Sequence, residues 1–170
     1  MATDPPVPLI VIDDREPNDT DVGRNDGNPL PFTCDTVVEH MDTGDYTIKG
    51  LEHLFSIERK TIPDIVSCTA GKSRERFVRE LFRLRGMRFS KVLIIGEKSD
   101  LESGNYRSNA KVVSVCNSLR QFDARYGEVG FVFVKNEQRA AAAIEEWARW
   151  FARDIARTYG DMVKYSPECG

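Results

Sequence analysis

GDYTIKGLEHLFSIERKTIPD, running from Gly44 to Asp64, holds two apolar segments around a polar break. Tyr46 and Ile48 precede Lys49-Gly50-Leu51-Glu52, and Leu54, Phe55 and Ile57 follow it. Loose alternation on both sides of a Gly-containing break is the pattern of a β-hairpin. With the turn centred near residues 51 and 52, antiparallel pairing sets Asp45 opposite Glu58. Successive side chains on a strand point to opposite faces, so Glu58 and Lys60 share one face while Arg59 points to the other. Asp45, Glu58 and Lys60 are therefore expected to meet on one surface.

Two carboxylates about 4 Å apart repel by roughly 4 kcal/mol at an effective dielectric near 20. A fold keeps such a pair by protonating one member or by binding a cation. Hard oxygen ligands with no Cys or His nearby suit Mg²⁺ or Mn²⁺ rather than zinc. Such an ion polarises a phosphoryl oxygen and lowers the pKa of a bound water, and an ammonium beside it orients that water or offsets charge on the phosphate. This is the minimum equipment for phosphodiester hydrolysis. An E-x-K pair on a strand is also a common solvated surface pair, contributing under about 1 kcal/mol, and the spacing alone leaves both readings open.

The wider pattern resembles the G-D…E-R-K-x-x-x-D signature of XPF-type structure-specific DNA endonucleases, with Gly44-Asp45, Ile57-Glu58-Arg59-Lys60 and Asp64 in its places. Leu9 to Glu16 (LIVIDDRE) is similar to the opening strand of that family, which ends in D-x-R-E. Asp64-Ile65-Val66-Ser67 followed by Gly71 is similar to its D-[LI]-x-x-S…G segment. Arg76-Phe77, Glu80 and Phe82-Arg83-Leu84 resemble its R-F…Q…R-L helix, with Glu80 where the family has Gln. Lys72-Ser73 separate Gly71 from Arg74 and Arg76, whereas the family usually has Arg directly after that Gly.

The resemblance implies a restriction-endonuclease-like fold and a site built from Asp45, Glu58, Lys60, Arg59, Asp64, Arg15 and Glu16. Asp45 and Glu58 are the expected metal ligands, Asp13 at its strand end is a further candidate carboxylate, and Lys60 is the expected catalytic lysine. Arg59 either takes part in the site or pairs with an acid to hold the strand. Asp64 is either a site residue or a helix-start residue favoured by the helix dipole. Family members commonly carry a tandem helix-hairpin-helix module after the nuclease domain, and some a helicase before it. These 170 residues have room for the nuclease core alone.

One domain is the natural count for this length, expected over residues 1–160 with a mobile tail over 161–170. No apolar run approaches a membrane span, and the acidic, Pro-rich N-terminus does not read as a signal peptide. Cys34, Cys68, Cys116 and Cys169 lack any C-x-x-C spacing and read as free thiols of an intracellular, reducing compartment. His40 and His53 are the only histidines, which excludes His-based triads and zinc sites.

A net charge of −3 does not advertise nucleic-acid binding, but the charge is segregated. Acids dominate residues 4–52, whereas Arg59, Lys60, Lys72, Arg74, Arg76, Arg79, Arg83, Arg85, Arg88 and Lys91 dominate residues 58–91. A basic segment directly after a metal-binding strand is placed to hold a phosphate backbone, so Lys72, Arg74, Arg76, Arg79 and Arg83 are candidate DNA contacts. The competing reading is a helix with a solvated charged face.

Outward from the hairpin, Pro8–Ile12 opens a strand leading into Asp13, and residues 17–34 have turn composition with little to bury, reading as a substrate-handling flap or as disorder. Thr61 and Pro63 suit a helix start. A second helix is expected over 73–85, with Phe77, Leu81 and Leu84 inward. Lys91–Gly96 reads as a central strand, 97–108 as a polar loop, Val112 to Tyr126 as a helix and Phe131–Val134 as a strand. A long helix over 137–159 carries the stripe Ile144, Trp147, Phe151, Ile155; Trp150 lies off it, a candidate dimer contact.

Strands alternating with helices after an early hairpin predict an α/β, three-layer domain with a central mixed sheet flanked by helices. The expected function is divalent-metal-dependent endonucleolytic cleavage of branched, flapped or forked DNA in repair or recombination. The rivals are a Holliday-junction-resolvase-like nuclease of the same fold and a non-catalytic DNA-binding scaffold subunit. The expected partners are junction-containing DNA and either a second copy in a homodimer or a separate DNA-targeting protein, with no membrane.

Overall fold

The computed structural model describes residues 7–16 and 29–165. Its elements are β1 (Ile10–Asp13), β2 (Thr36–Glu39), β3 (Tyr46–Ile48), β4 (Phe55–Thr61), α1 (Ile62–Ser67), α2 (Gly71–Leu84), β5 (Phe89–Ile95), α3 (Lys98–Ser103), α4 (Val112–Arg125), β6 (Gly130–Val134) and α5 (Glu137–Lys164). The strands form one sheet in the order β2-β1-β3-β4-β5-β6. Only the β1–β3 and β3–β4 pairings are antiparallel, so β3 alone runs against the other five. The carboxyl ends of β1 and β4 and the entry to β3 therefore share one edge of the sheet.

Alternation along β4 and β5 divides the core in two. Ile57, Phe55 and Leu93 face α5 and pack with its Ala140, Ala141, Ile144 and Ala148. Val92 and Ile94 face the other way and pack with Ile62 and Ile65 of α1, Phe77, Leu81 and Leu84 of α2, Leu101 of α3 and Val115 and Phe122 of α4. The result is three layers, α5 on one face and α1–α4 on the other, around a mixed sheet. Small alanines on α5 let its backbone sit close to the sheet, and the aromatic group Phe55, Phe89, Phe151 and Trp147 fills the end of that interface.

Three expectations need correction. Residues 97–108 are not wholly a loop, because α3 forms there on a reciprocal capping box between Glu97 and Asp100, with Gly104 as a left-handed C-cap and buried Leu101 as its anchor. α5 continues past residue 160, so residues 161–164 of the expected mobile tail are helical. The described end of the 17–34 loop does bury surface: Leu30 is buried, Phe32 meets the Tyr46 ring edge-on at 5.6 Å, and Thr33 Oγ1 donates to buried Glu145 at 2.8 Å. Residues 17–28 lie outside the described residues, so the flap and disorder readings fall there. Among the described residues no helix is long and apolar enough to cross a membrane. Cys34, Cys68 and Cys116 are free thiols, and Cys169 lies outside the described residues.

Candidate active site

The hairpin register pairs Tyr46 with Ile57, which sets Asp45 across from Glu58 as the sequence predicts. Asp45 N–H donates to Ile57 O at 2.8 Å, closing the ladder at the point where the chain enters β3. Gly44 makes that entry with φ +75°, and a Cβ there would lie 2.1 Å from Ser56 Oγ and 3.0 Å from Ile57 O. This gives the G-D pair a physical reason: glycine alone combines the left-handed turn with close approach to β4, and the next residue is delivered opposite Glu58. Gly44→Ala is expected to destabilise the protein by about 1–3 kcal/mol through strain and overpacking. Urea denaturation checks this, and a change below about 0.5 kcal/mol would show that the turn relaxes freely.

Ser56, Glu58 and Lys60 lie on the α2 side of β4. Glu58 is 2% exposed. Its Oε1 accepts from Lys60 Nζ, while its Oε2 is buried with no hydrogen-bond partner. Lys60 Nζ also lies 3.7 Å from Glu80 Oε2 and 5.8 Å from the centre of the Phe77 ring, both on α2. Arg59 takes the opposite face, as alternation requires. Its backbone N–H donates to Asp45 Oδ2 at 2.6 Å, and its guanidinium reaches Glu16 Oε2 at 3.4 Å, where Tyr46 OH also donates at 3.2 Å. Arg59 thus ties Asp45, Glu16 and β4 into one unit. The two faces meet at the sheet edge in a cleft of about 240 Å³ lined by Glu16, Arg59, Lys60, Asp64, Ser67, Cys68, Ser73, Arg76, Phe77 and Glu80.

Three expected site residues are held by their own neighbours. Asp13 is buried at the end of β1 and is clamped by Arg15, whose Nε and Nη2 donate to its two oxygens at 2.6 and 2.9 Å, and by Met41 N–H at 2.9 Å. Burial works to raise its pKa, but the Arg15 and Met41 hydrogen bonds outweigh it and hold the carboxylate below its ordinary value. Among the described residues Asp13 groups with Asp14 and His40 within 4.8 Å of one another, a cluster that does not include Asp45 or Glu58. Arg15, also bonded to Met41 O at 2.6 Å, stabilises Asp13 rather than entering the cleft. Asp64 lines the cleft mouth, but its Oδ2 accepts from Thr61 N–H and Oγ1 at 2.9 and 2.6 Å in the capping box of α1. Its helix-start role is realised.

Glu80, which the sequence reading placed only as the residue standing where the family has Gln, lines the cleft. Its spacing held the signal, since it follows Phe77 by three residues on the helix side that also carries Leu84. On the same helix Lys72, Arg76, Arg79 and Arg83 recur at i, i+4, i+7 and i+11, an exposed stripe beside the cleft with no hydrogen bond or ion pair to the described residues. Arg74 is turned inward instead, donating to Gln121 Oε1 at 2.6 Å and lying 4.6 Å over the Phe122 ring, which makes it a brace between α2 and α4.

Asp45 and Glu58 carry hard oxygen donors of the kind a divalent cation takes. Burial, then the nearby Glu16 carboxylate, push the Asp45 pKa up to about 8 against the pull of Lys60 and the Arg59 N–H. Together with the orphaned Glu58 oxygen, this is a concentration of acid oxygens that a cation would relieve. A carboxyl whose pKa is higher folded than unfolded binds extra protons in the folded state, so stability falls as pH rises from the ordinary 3.8 toward about 8. The metal-free protein should therefore melt lower near pH 8 than near pH 6, and Mn²⁺ should raise the melting temperature more near pH 8, where the proton competes less for Asp45. Equal Mn²⁺ shifts at both pH values in scanning fluorimetry would contradict this account of Asp45.

The family model described as "ERCC4 domain" matches residues 12–146. Among solved structures, XPF from Aeropyrum pernix in complex with DNA superposes with a TM-score of 0.63 at 19% identity, covering 86% of this chain and 66% of that one. A second structure of XPF from Aeropyrum pernix gives a TM-score of 0.62 at 18% identity, covering 84% of this chain and 61% of that one. The chain thus spans somewhat under two thirds of the length of each. No curated protein sequence matches. The mixed sheet with helices on both faces is the restriction-endonuclease-like α/β fold of these nuclease domains.

Proposed function

Because the chain belongs to the ERCC4 domain family and is an XPF-type nuclease domain, we propose that it is a divalent-metal-dependent endonuclease that hydrolyses phosphodiester bonds in branched, flapped or forked DNA. The single observation that carries this reading is the buried, unpartnered Glu58 Oε2 beside Lys60, across the hairpin from Asp45. Asp45 and Glu58 would hold Mg²⁺ or Mn²⁺, which when bound supplies a polarised phosphoryl oxygen and a water of lowered pKa.

The remaining roles belong to the chain. Lys60 places a positive charge at the cleft wall, where it offsets charge developing on the phosphorus-bound oxygens or orients the attacking water. Glu16 and Arg59 fix the opposite wall, and the Arg59 N–H holds the Asp45 carboxylate in place. Lys72, Arg76, Arg79 and Arg83 form a cationic track beside the cleft that suits a phosphate backbone rather than base edges. The solved relative bound to DNA supports a nucleic-acid substrate for this chain as well.

The test is cleavage of labelled flap, fork and four-way-junction DNA with Mg²⁺ or Mn²⁺. Cutting near the branch of flaps and forks is expected. Arg79→Ala with Arg83→Ala should weaken binding and lower the salt slope of log K by about 0.9 for each phosphate left without its arginine. Selective symmetric cutting of four-way junctions would favour a resolvase. Binding without cutting under any metal would favour a scaffold subunit.

A further inference from the structure

One ammonium at the cleft wall serves two carboxylates, buried Glu58 behind it and Glu80 lining the cleft. Lys60 Nζ contacts Glu58 Oε1 and lies 3.7 Å from Glu80 Oε2. Glu80 has no other hydrogen-bond or ion-pair partner among the described residues, so its oxygens are free to take more of the lysine's charge. A divalent cation on Glu58 and an ammonium on the same carboxylate repel each other, and the long, flexible lysine stem is the part that moves. We propose that Glu80 is a positioning residue for Lys60: as a divalent cation takes Glu58, the ammonium passes to Glu80 and stays in the cleft facing the substrate. The proposal rests on the metal-dependent reading of the same site.

The exchange makes Lys60 an internal competitor for the cation's place and Glu80 the acceptor that releases it. The Phe77 ring, its centre 5.8 Å from the ammonium, lines the cleft beside it and favours a cation there. A passive Glu80 would merely add negative charge to the cleft. The two cases differ in coupling, because the acceptor matters only while Lys60 is present.

A Mn²⁺ titration by calorimetry on the full chain, with Glu80→Gln, Lys60→Met and the double variant, separates them. Glu80→Gln should weaken Mn²⁺ binding roughly tenfold, within the coupling range of residues in direct contact. Glu80→Asp should recover most of that loss. Lys60→Met, with the competitor gone, should bind Mn²⁺ at least as tightly as the unsubstituted chain, and adding Glu80→Gln to it should change nothing further. Equal weakening by Glu80→Gln with and without Lys60 overturns the exchange in favour of simple electrostatics, and no weakening overturns it outright. Looser binding by Lys60→Met contradicts it whatever the Glu80 variants do. If the unsubstituted chain takes up no Mn²⁺ at all, the metal-dependent reading itself fails, a result distinct from normal uptake without coupling.

Discussion

Glu58→Gln is expected to leave a folded protein that still binds branched DNA and cuts it about 10²–10³-fold more slowly, the loss seen when one preorganised charge-stabilising group is removed. The side chain keeps its shape, and the amide oxygen can still accept from Lys60. What disappears is the negative charge on a group that is 2% exposed and holds one oxygen without a partner. That charge has no structural work on the Oε2 side, so the folded state loses little, whereas cation binding loses a ligand. Glu39→Gln is the matched control, because Glu39 is a surface carboxylate paired with Lys49 at 2.6 Å on β2, outside the cleft. Single-turnover cleavage of a labelled flap reads both. Equal rates for Glu58→Gln and the unsubstituted chain would remove Glu58 from the reaction.

The largest effect on stability is expected at Phe55, on the opposite face of β4. Its ring is fully buried, stacks on Phe89 at 4.9 Å with an interplanar angle of 3°, and meets Phe151 of α5 at 5.4 Å. Phe55→Ala removes the ring on which α5 seats against the sheet and leaves a cavity that rigid strands cannot close, a loss of about 3–5 kcal/mol. For a chain of this size that lowers the melting temperature by roughly 10 °C. Calorimetry or urea denaturation measures it. A loss below about 1 kcal/mol would mean that α5 is not anchored through this ring. Because Phe55 and Glu58 belong to one strand, loosening this interface should also blur the geometry of the site, so the variant's cleavage should fall with its stability.

Local pattern carried much of this molecule. The hairpin centre near residues 51 and 52 is enough to fix Tyr46 against Ile57, and strand alternation then separates Arg59 from Glu58 and Lys60. Thr61 and Pro63 announce α1, and Phe77, Leu81 and Leu84 announce α2, because capping and helical period are local properties. The features that escaped depend on partners far apart in the chain or on short elements with one anchor. Thr33 and Glu145 are joined across 112 residues, and nothing near residue 33 signals it. Helix α3 rests on one capping box and one buried leucine, too little for periodicity to register. Asp13 has the residue type and strand-end position of a metal ligand, but Arg15 two residues on folds back and occupies both its oxygens. Glu80 differs again: its helix face was legible, but its nearness to Lys60 needed the packing of α2 on β4.

The most direct test of the metal site is anomalous diffraction from crystals of this chain soaked in Mn²⁺. A peak is expected at the Asp45 and Glu58 carboxylates, absent from Glu58→Gln crystals. A peak only at Asp13, Asp14 and His40, the carboxylate–imidazole group at the end of β1, or none at all, would contradict the assignment.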